Sequence, residues 1–193
     1  DSTGSKGNMG PGDIQWMKTG RGIIHSEMPA MSDGKLLGFQ LWINMPASMK
    51  MNKPKYDYIK SNQKTKFEDQ DKKINLIAGK FENVEGPIKG HNVEPIYFDI
   101  ELNENKKINL TVPETHNSFV YLLKGDLKVG SQDHEKINDS TLVLLEKGSN
   151  LEILANKKSK FLFIAGKPIG EPIARGGPFV MNTKSEILQA IQD

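Results

Sequence analysis

The chain has 193 residues, with 26 Lys and Arg against 24 Asp and Glu and a formal net charge of +2 at pH 7. That near-neutral balance gives no support to direct nucleic-acid binding, and the absence of cysteine excludes a disulfide framework and any thiolate metal site. No apolar run approaches the roughly 20 residues that cross a bilayer, and no basic-plus-apolar leader opens the chain, so a turn-rich, soluble intracellular protein is expected.

Pro11-Gly12-Asp13 is a turn signal. Apolar residues 14–17 then predict a strand, and Gly20-Arg21-Gly22 a second tight turn. The next run, Ile23-Ile24-His25-Ser26-Glu27-Met28, predicts a strand over 22–27. On a strand, residues two apart share a face, so the His25 imidazole and the Glu27 carboxylate would converge as two metal ligands could. A His–Glu pair is also a common hydrogen-bonded surface pair, and spacing alone does not separate the readings. Gly20-Arg21-Gly22 is not a phosphate loop, because no helix start follows it.

Further strands are predicted over 37–44, 74–78, 96–102, 108–112, 119–123, 126–129, 141–145, 151–154 and 161–165. Segment 47–73, with six lysines from Lys50 to Lys66, reads as a polar surface excursion. Short strands punctuated by turns indicate an all-β sandwich or barrel. Near the end, Thr183-Lys184-Ser185-Glu186 is a capping box, with Ile187, Ala190 and Ile191 at helical spacing behind it. This helix is cut off at Asp193, so truncation is expected at that end too. The basic clusters Lys72-Lys73, Lys106-Lys107 and Lys157-Lys158-Ser159-Lys160 sit beside polar turn residues, and each is read as a solvated turn.

A weak internal repeat aligns Phe39 to Pro46 with Phe161 to Pro168, placing Gly20 opposite Gly148 and His25 opposite Ile153. Trp16 and Trp42, both in apolar runs, are expected in the core. Gln40 is either beside a metal ligand or solvent-facing. Met17 and Met28 would line a pocket mouth or fill gaps. Arg21 is read as an exposed turn residue rather than one shaping a site entrance.

The wording QWM-x-x-GRGI-x-HSEMP, the later Gln40-Leu41-Trp42-Ile43-Asn44 and the near-terminal Gly177-Pro178-Phe179-Val180-Met181-Asn182-Thr183 closely resemble the pirin family, from the first residues to the last. The resemblance implies a bicupin: two cupin-type β-barrels, the first incomplete here, with a short C-terminal helix. It divides the chain into residues 1–93, the remainder of the N-terminal barrel and half of the metal site, and residues 94–193, the C-terminal barrel plus helix.

Pirin-like proteins also carry an HPHRGFE-like motif with two further His ligands, upstream of the stretch that matches Asp1-Ser2-Thr3-Gly4. None of the four histidines, His25, His91, His116 and His134, forms an HxH pair. The expectation is a chain that starts after half of the metal site: a fragment, a mispredicted product or a diverged member. In the second barrel Ile153 stands where His25 stands in the first, Thr111 and Pro113 fill the ligand slots, and His116 falls three positions late. His116 is therefore read as a loop or packing residue.

What the resemblance implies chemically is a non-haem Fe site of three imidazoles and one carboxylate, with positions open to water, oxygen or substrate. The implied activity is quercetin 2,3-dioxygenase-type opening of a flavonol-like small molecule. His25 and Glu27 would be half of that ligand shell, and iron binding by this chain alone is expected to be weak or absent. The alternatives are a nuclear cofactor whose metal state tunes binding to transcription-factor partners, or a degenerate member that does neither.

Overall fold

The computed structural model describes residues 1–2, 4, 6–28, 34, 36–130 and 135–193. In chain order the elements are β1 (Ile14–Lys18), α1 (Ala47–Lys50), β2 (Lys55–Ile59), a 3-10 turn (Ser61–Gln63), β3 (Thr65–Glu68), β4 (Lys72–Ala78), β5 (Lys80–Phe81) and β6 (Val84–Glu85). Then come β7 (Ile96–Leu102), β8 (Lys107–Thr111), β9 (Asn117–Val129), β10 (Glu135–Asn138), β11 (Thr141–Leu145), β12 (Asn150–Gly166), β13 (Ala174–Gly176), β14 (Phe179–Met181) and α2 (Lys184–Gln192). They form two compact units, residues 59–168 and residues 1–58 with 169–193.

Unit 59–168 is built on strict alternation. In β7, Ile96, Phe98, Ile100 and Leu102 are buried while Tyr97, Asp99 and Glu101 are less so; in β8 only Ile108 and Leu110 point inward. Period-2 burial of this kind fixes register, since a slip of one residue would expose the whole apolar set. The sheet runs β10-β9-β12-β7-β4-β3, with β11 also on β9 and β8 also on β12. The two long strands change neighbours along their length: β12 pairs β8 through 150–154 and β7 through 159–165. Between these stretches its ladder with β9 is bulged from Ala155 to Phe161, and bulges bend and twist a strand. The sheet thereby wraps a core in which Phe98 and Phe163 lie 6.1 Å apart and Phe81 packs edge-on to Phe98 at 6.2 Å.

The bulge has its own polar fastening. Asp126 N–H donates to Ser159 Oγ at 3.1 Å, Asn156 Nδ2 donates to Asp126 Oδ1 at 2.6 Å, and Lys136 Nζ lies 3.3 Å from Asp126 Oδ2. Gly125 is required there: its φ is +123°, and a Cβ on it would stand 2.1 Å from Ser159 Oγ.

The other unit holds two separate two-stranded ladders, β1 with β2 and β13 with β14, in place of a complete first barrel. The capping box forms as expected: Glu186 N–H donates to Thr183 Oγ1 at 3.3 Å, and Thr183 N–H donates to Glu186 Oε2 at 2.7 Å. α2 packs on β13 and β14 through the buried Ile187.

Several sequence expectations are corrected. Residues 22–27 and 37–44 are not strands, so the Phe39 segment does not mirror Phe161 in β12. A strand needs ladder partners for its backbone, and these described residues join no ladder; Ser2 N–H donates to Ile24 O at 2.7 Å. The excursion 47–73 instead contains α1, β2, β3 and the start of β4. Runs 119–123 and 126–129 are one strand, β9, and runs 151–154 and 161–165 are one strand, β12; the intervening Gly125 and Lys157 positions are bulges, not turns. Residues 59–168 form one of the two compact units.

Candidate metal centre and its surroundings

The His25 segment leaves a tight turn held from the side. Gly22 N–H donates to Thr19 O at 3.0 Å, and Arg21 N–H donates to Asn52 O at 2.9 Å. Gly20 has φ +53°, and a Cβ there would fall 2.0 Å from Asn52 O, so only glycine lets the two backbones meet. Before it, β1 opens from a turn in which Asp13 Oδ2 accepts from Gly10 N–H at 2.8 Å and from the Tyr58 hydroxyl. From Gly22 to Met28 the backbone is irregular, and His25 and Glu27 are both exposed. The shared strand face expected to align them is therefore not formed.

Tyr56 on β2 is the described neighbour that Glu27 touches electrostatically. Burial pushes its phenol above the ordinary tyrosine value, and the Glu27 carboxylate adds to the rise. Tyr56 is a residue that sequence reading missed, because the run around it looked like a polar excursion.

An imidazole and a carboxylate suit a non-haem iron site in donor type. In number they do not make one: among the described residues no three His, Asp or Glu side chains gather where a metal could be held. His116 is buried, its Nε2 3.0 Å from Glu94 O and its Nδ1 3.4 Å from Thr115 Oγ1, which is a packing role. His91 lies in unit 59–168, and His134 lies outside the described residues.

The remaining candidates separate in the same way. Trp16 is half-buried in β1, but Trp42 is 55% exposed; it is not a core residue, and the Arg175 guanidinium lies 5.6 Å from its ring centroid. Gln40, Arg21 and Met28 are exposed, and Met17 is half-buried. A buried cation was not anticipated: Lys50 is 6% exposed and donates to Asn44 Oδ1 at 2.6 Å and to Val180 O at 3.0 Å. Burial lowers its pKa against the opposing pull of Glu171 and Glu186. The basic clusters are matched by acids, Lys72 with Asp69, Lys106 with Asp71, Lys107 with Glu152 and Lys160 with Glu101. No helix among the described residues is long and apolar enough to cross a membrane.

Comparison with known proteins places this architecture. Residues 97–193 match the pirin C-terminal cupin domain, and residues 1–43 match the pirin family. A pirin-like protein of Caulobacter vibrioides is 36% identical over all of this chain and 70% of its own length. Human pirin is 37% identical over all of this chain and 67% of its own length. A solved quercetin 2,3-dioxygenase of Acinetobacter baumannii superposes on the whole chain with a TM-score of 0.83 at 28% identity, over 68% of that structure. The strand pattern, the wording around His25 and these matches over the full chain agree, and the chain belongs to the pirin family of cupin proteins.

Proposed function

We propose that the chain serves quercetin 2,3-dioxygenase-type chemistry on a flavonol-like phenol, contributing His25 and Glu27 to an iron centre. The supporting observation is the whole-chain likeness to a quercetin 2,3-dioxygenase, joined to the exposure of both side chains at the end of a fixed turn. On this reading the other donors come from outside the described residues. Residues 94–193 act as the C-terminal cupin piece and 1–93 as the metal-bearing piece. Bound iron would supply the Lewis acidity and the affinity for oxygen; the chain's own part is to present one neutral nitrogen and one anionic oxygen, with the Tyr56 phenol held protonated nearby.

The test is Fe(II) titration without oxygen, followed by quercetin turnover in air as a second readout. The chain as given should hold substoichiometric iron and leave quercetin unoxidised. Fusing an HPHRGFE-type segment ahead of Asp1 should restore both, and His25→Ala should abolish both. Undiminished iron binding in the fused His25→Ala variant would refute the assignment.

A second reading is a nuclear interaction protein that engages transcription-factor partners. It is supported by the exposed apolar side chains Ile24, Met28, Leu37 and Trp42. Partner binding that persists when His25 and Glu27 are both replaced would favour this reading over the enzymatic one.

A further inference from the structure

Within unit 59–168, the β5–β6 hairpin and strands β7 and β8 border a cavity of about 240 Å³. Lys80, Phe81, Glu82, Phe98, Asn109 and Thr111 line it. All six belong to that unit, so the cavity draws nothing from the His25 segment. Phe81 and Phe98, both buried, form its apolar side. Their rings meet edge to face at 6.2 Å, and Phe67 meets Phe81 edge-on at 5.1 Å. A flat ring entering the cavity would extend this cluster in the edge-on or offset geometry that aromatic pairs favour.

The polar side is built from two elements. Asn109 and Thr111 lie two apart on β8, on the face opposite buried Ile108 and Leu110. Lys80 and Glu82 flank Phe81, and Glu82 has a left-handed φ of +51°, a conformation that costs energy for a residue other than glycine and recurs at ligand sites. None of these four side chains forms a hydrogen bond or ion pair among the described residues. The neighbouring acids are committed. Glu85, opposite Lys80 in the hairpin, holds Lys89 at 2.6 Å, and Glu152, opposite Asn109, holds Lys107 at 3.1 Å. A free ammonium, a free carboxylate, an amide and a hydroxyl therefore border one aromatic-walled cavity, and a few polar groups around an apolar wall fix a small ligand's orientation.

We propose that this cavity binds a small aromatic carboxylate with a ring hydroxyl. The ring lies against Phe81 and Phe98, the carboxylate meets Lys80, and the hydroxyl donates to Glu82, with Asn109 and Thr111 completing the polar contacts. Volume sets the size: the cavity is smaller than the roughly 300–1,000 Å³ of pockets for drug-sized molecules, so it admits one ring and not a fused polycycle. Charge sets the class. A doubly charged phosphate would be repelled by Glu82 and would leave the aromatic wall uncovered. A divalent metal would find one carboxylate and no imidazole in the lining. An uncharged arene would strip water from four polar groups and replace none of their hydrogen bonds. The site involves neither iron nor quercetin, so it stands or falls separately from the function proposed above.

The probe is 4-hydroxybenzoate, titrated into the chelator-treated chain and followed by amide chemical shifts. 4-Hydroxybenzamide has the same shape without the charge, and 4-methylbenzoate lacks the hydroxyl. 4-Hydroxybenzoate should saturate with a Kd on the order of 1 mM or tighter, its shifts centred on residues 80–82 and 109–111. The benzamide should bind about tenfold more weakly, and Lys80→Gln should abolish that preference. Glu82→Asn, which suits a left-handed backbone, should weaken 4-hydroxybenzoate severalfold and leave 4-methylbenzoate unchanged. Lys80 and Glu82 are both exposed, and unchanged thermal unfolding would exclude loss of fold as the cause. The proposal is overturned if 4-hydroxybenzoate does not saturate, if its shifts centre elsewhere, or if the benzamide binds the parent chain equally well. It is likewise overturned if Lys80→Gln keeps the preference or if Glu82→Asn weakens both benzoates alike or neither.

Discussion

At the scale of single residues, Asp126 fastens the β9–β12 bulge through Ser159, Asn156 and Lys136. The hydrogen bond from Asn156, helped by Lys136, holds the Asp126 carboxyl below the usual carboxylate range. A depressed folded-state value means the folded chain binds this proton less readily than the unfolded chain does. Asp126 therefore contributes stability above the unfolded value of about 3.9, and that contribution is lost as pH falls through the lower folded value. Urea unfolding followed from pH 6 down to about pH 2 should show Asp126→Asn with a flatter acid-side decline than the parent; an identical decline would remove Asp126 from this role. Gly125→Ala combines a left-handed φ with a Cβ 2.1 Å from Ser159 Oγ, and should cost roughly 1–3 kcal/mol in the same assay. His25→Ala, by contrast, removes an exposed side chain and should shift stability by less than about 0.5 kcal/mol. Its metal phenotype can therefore be read without a folding artefact.

At the scale of elements, α2 and the segment Gly22–Met28 show opposite outcomes of the same kind of reading. α2 was legible because its start signal is local: Thr183 and Glu186 satisfy each other's backbone donors within one turn. Thr183→Ala should lower the stability of its unit by about 1 kcal/mol. Ile187→Ala, which empties the contact with β13 and β14, should cost about 2 kcal/mol, and melting of both variants by circular dichroism would test the order. The His25 run has strand-like composition but no ladder among the described residues beyond the Ser2 contact, and β-propensity describes fit to neighbours more than a backbone preference. The same argument in reverse explains β2 and β3, whose lysine-rich sequences looked irregular yet pair with β1 and β4.

At the scale of the molecule, protection against exchange should follow the ladders. The amides of β7, β9 and β12 surround fully buried Phe161, Phe163 and Ile100 and should exchange only through large-scale unfolding. Those of residues 22–28 and 36–46 lack a ladder and should exchange within the fastest class. Hydrogen-exchange mass spectrometry with comparable protection in both regions would show that residues 22–28 and 36–46 are paired after all. The unit formed by residues 1–58 and 169–193 joins the two ends of the chain through Lys50, which reaches Val180 O, and Glu171, which accepts from Ala47 N–H. No local pattern announces such contacts, more than a hundred residues apart in sequence.

The sequence by itself determined what depends on short range. Short apolar runs bounded by turns specified β7, β8 and β11, the capping box specified α2, and the wording around His25 identified the family. It also read His116 as a loop or packing residue, and that side chain is buried against Glu94 O. Only the tertiary structure decided what depends on partners distant in the chain: that His25 and Glu27 stand exposed on an irregular segment, that β9 and β12 run through their glycine and lysine interruptions, and that Trp42 faces outward beneath Arg175. A hydrogen-bonding edge or an apolar side chain adopts its place only when another segment arrives to complete it, and spacing along the chain does not say which segment that is.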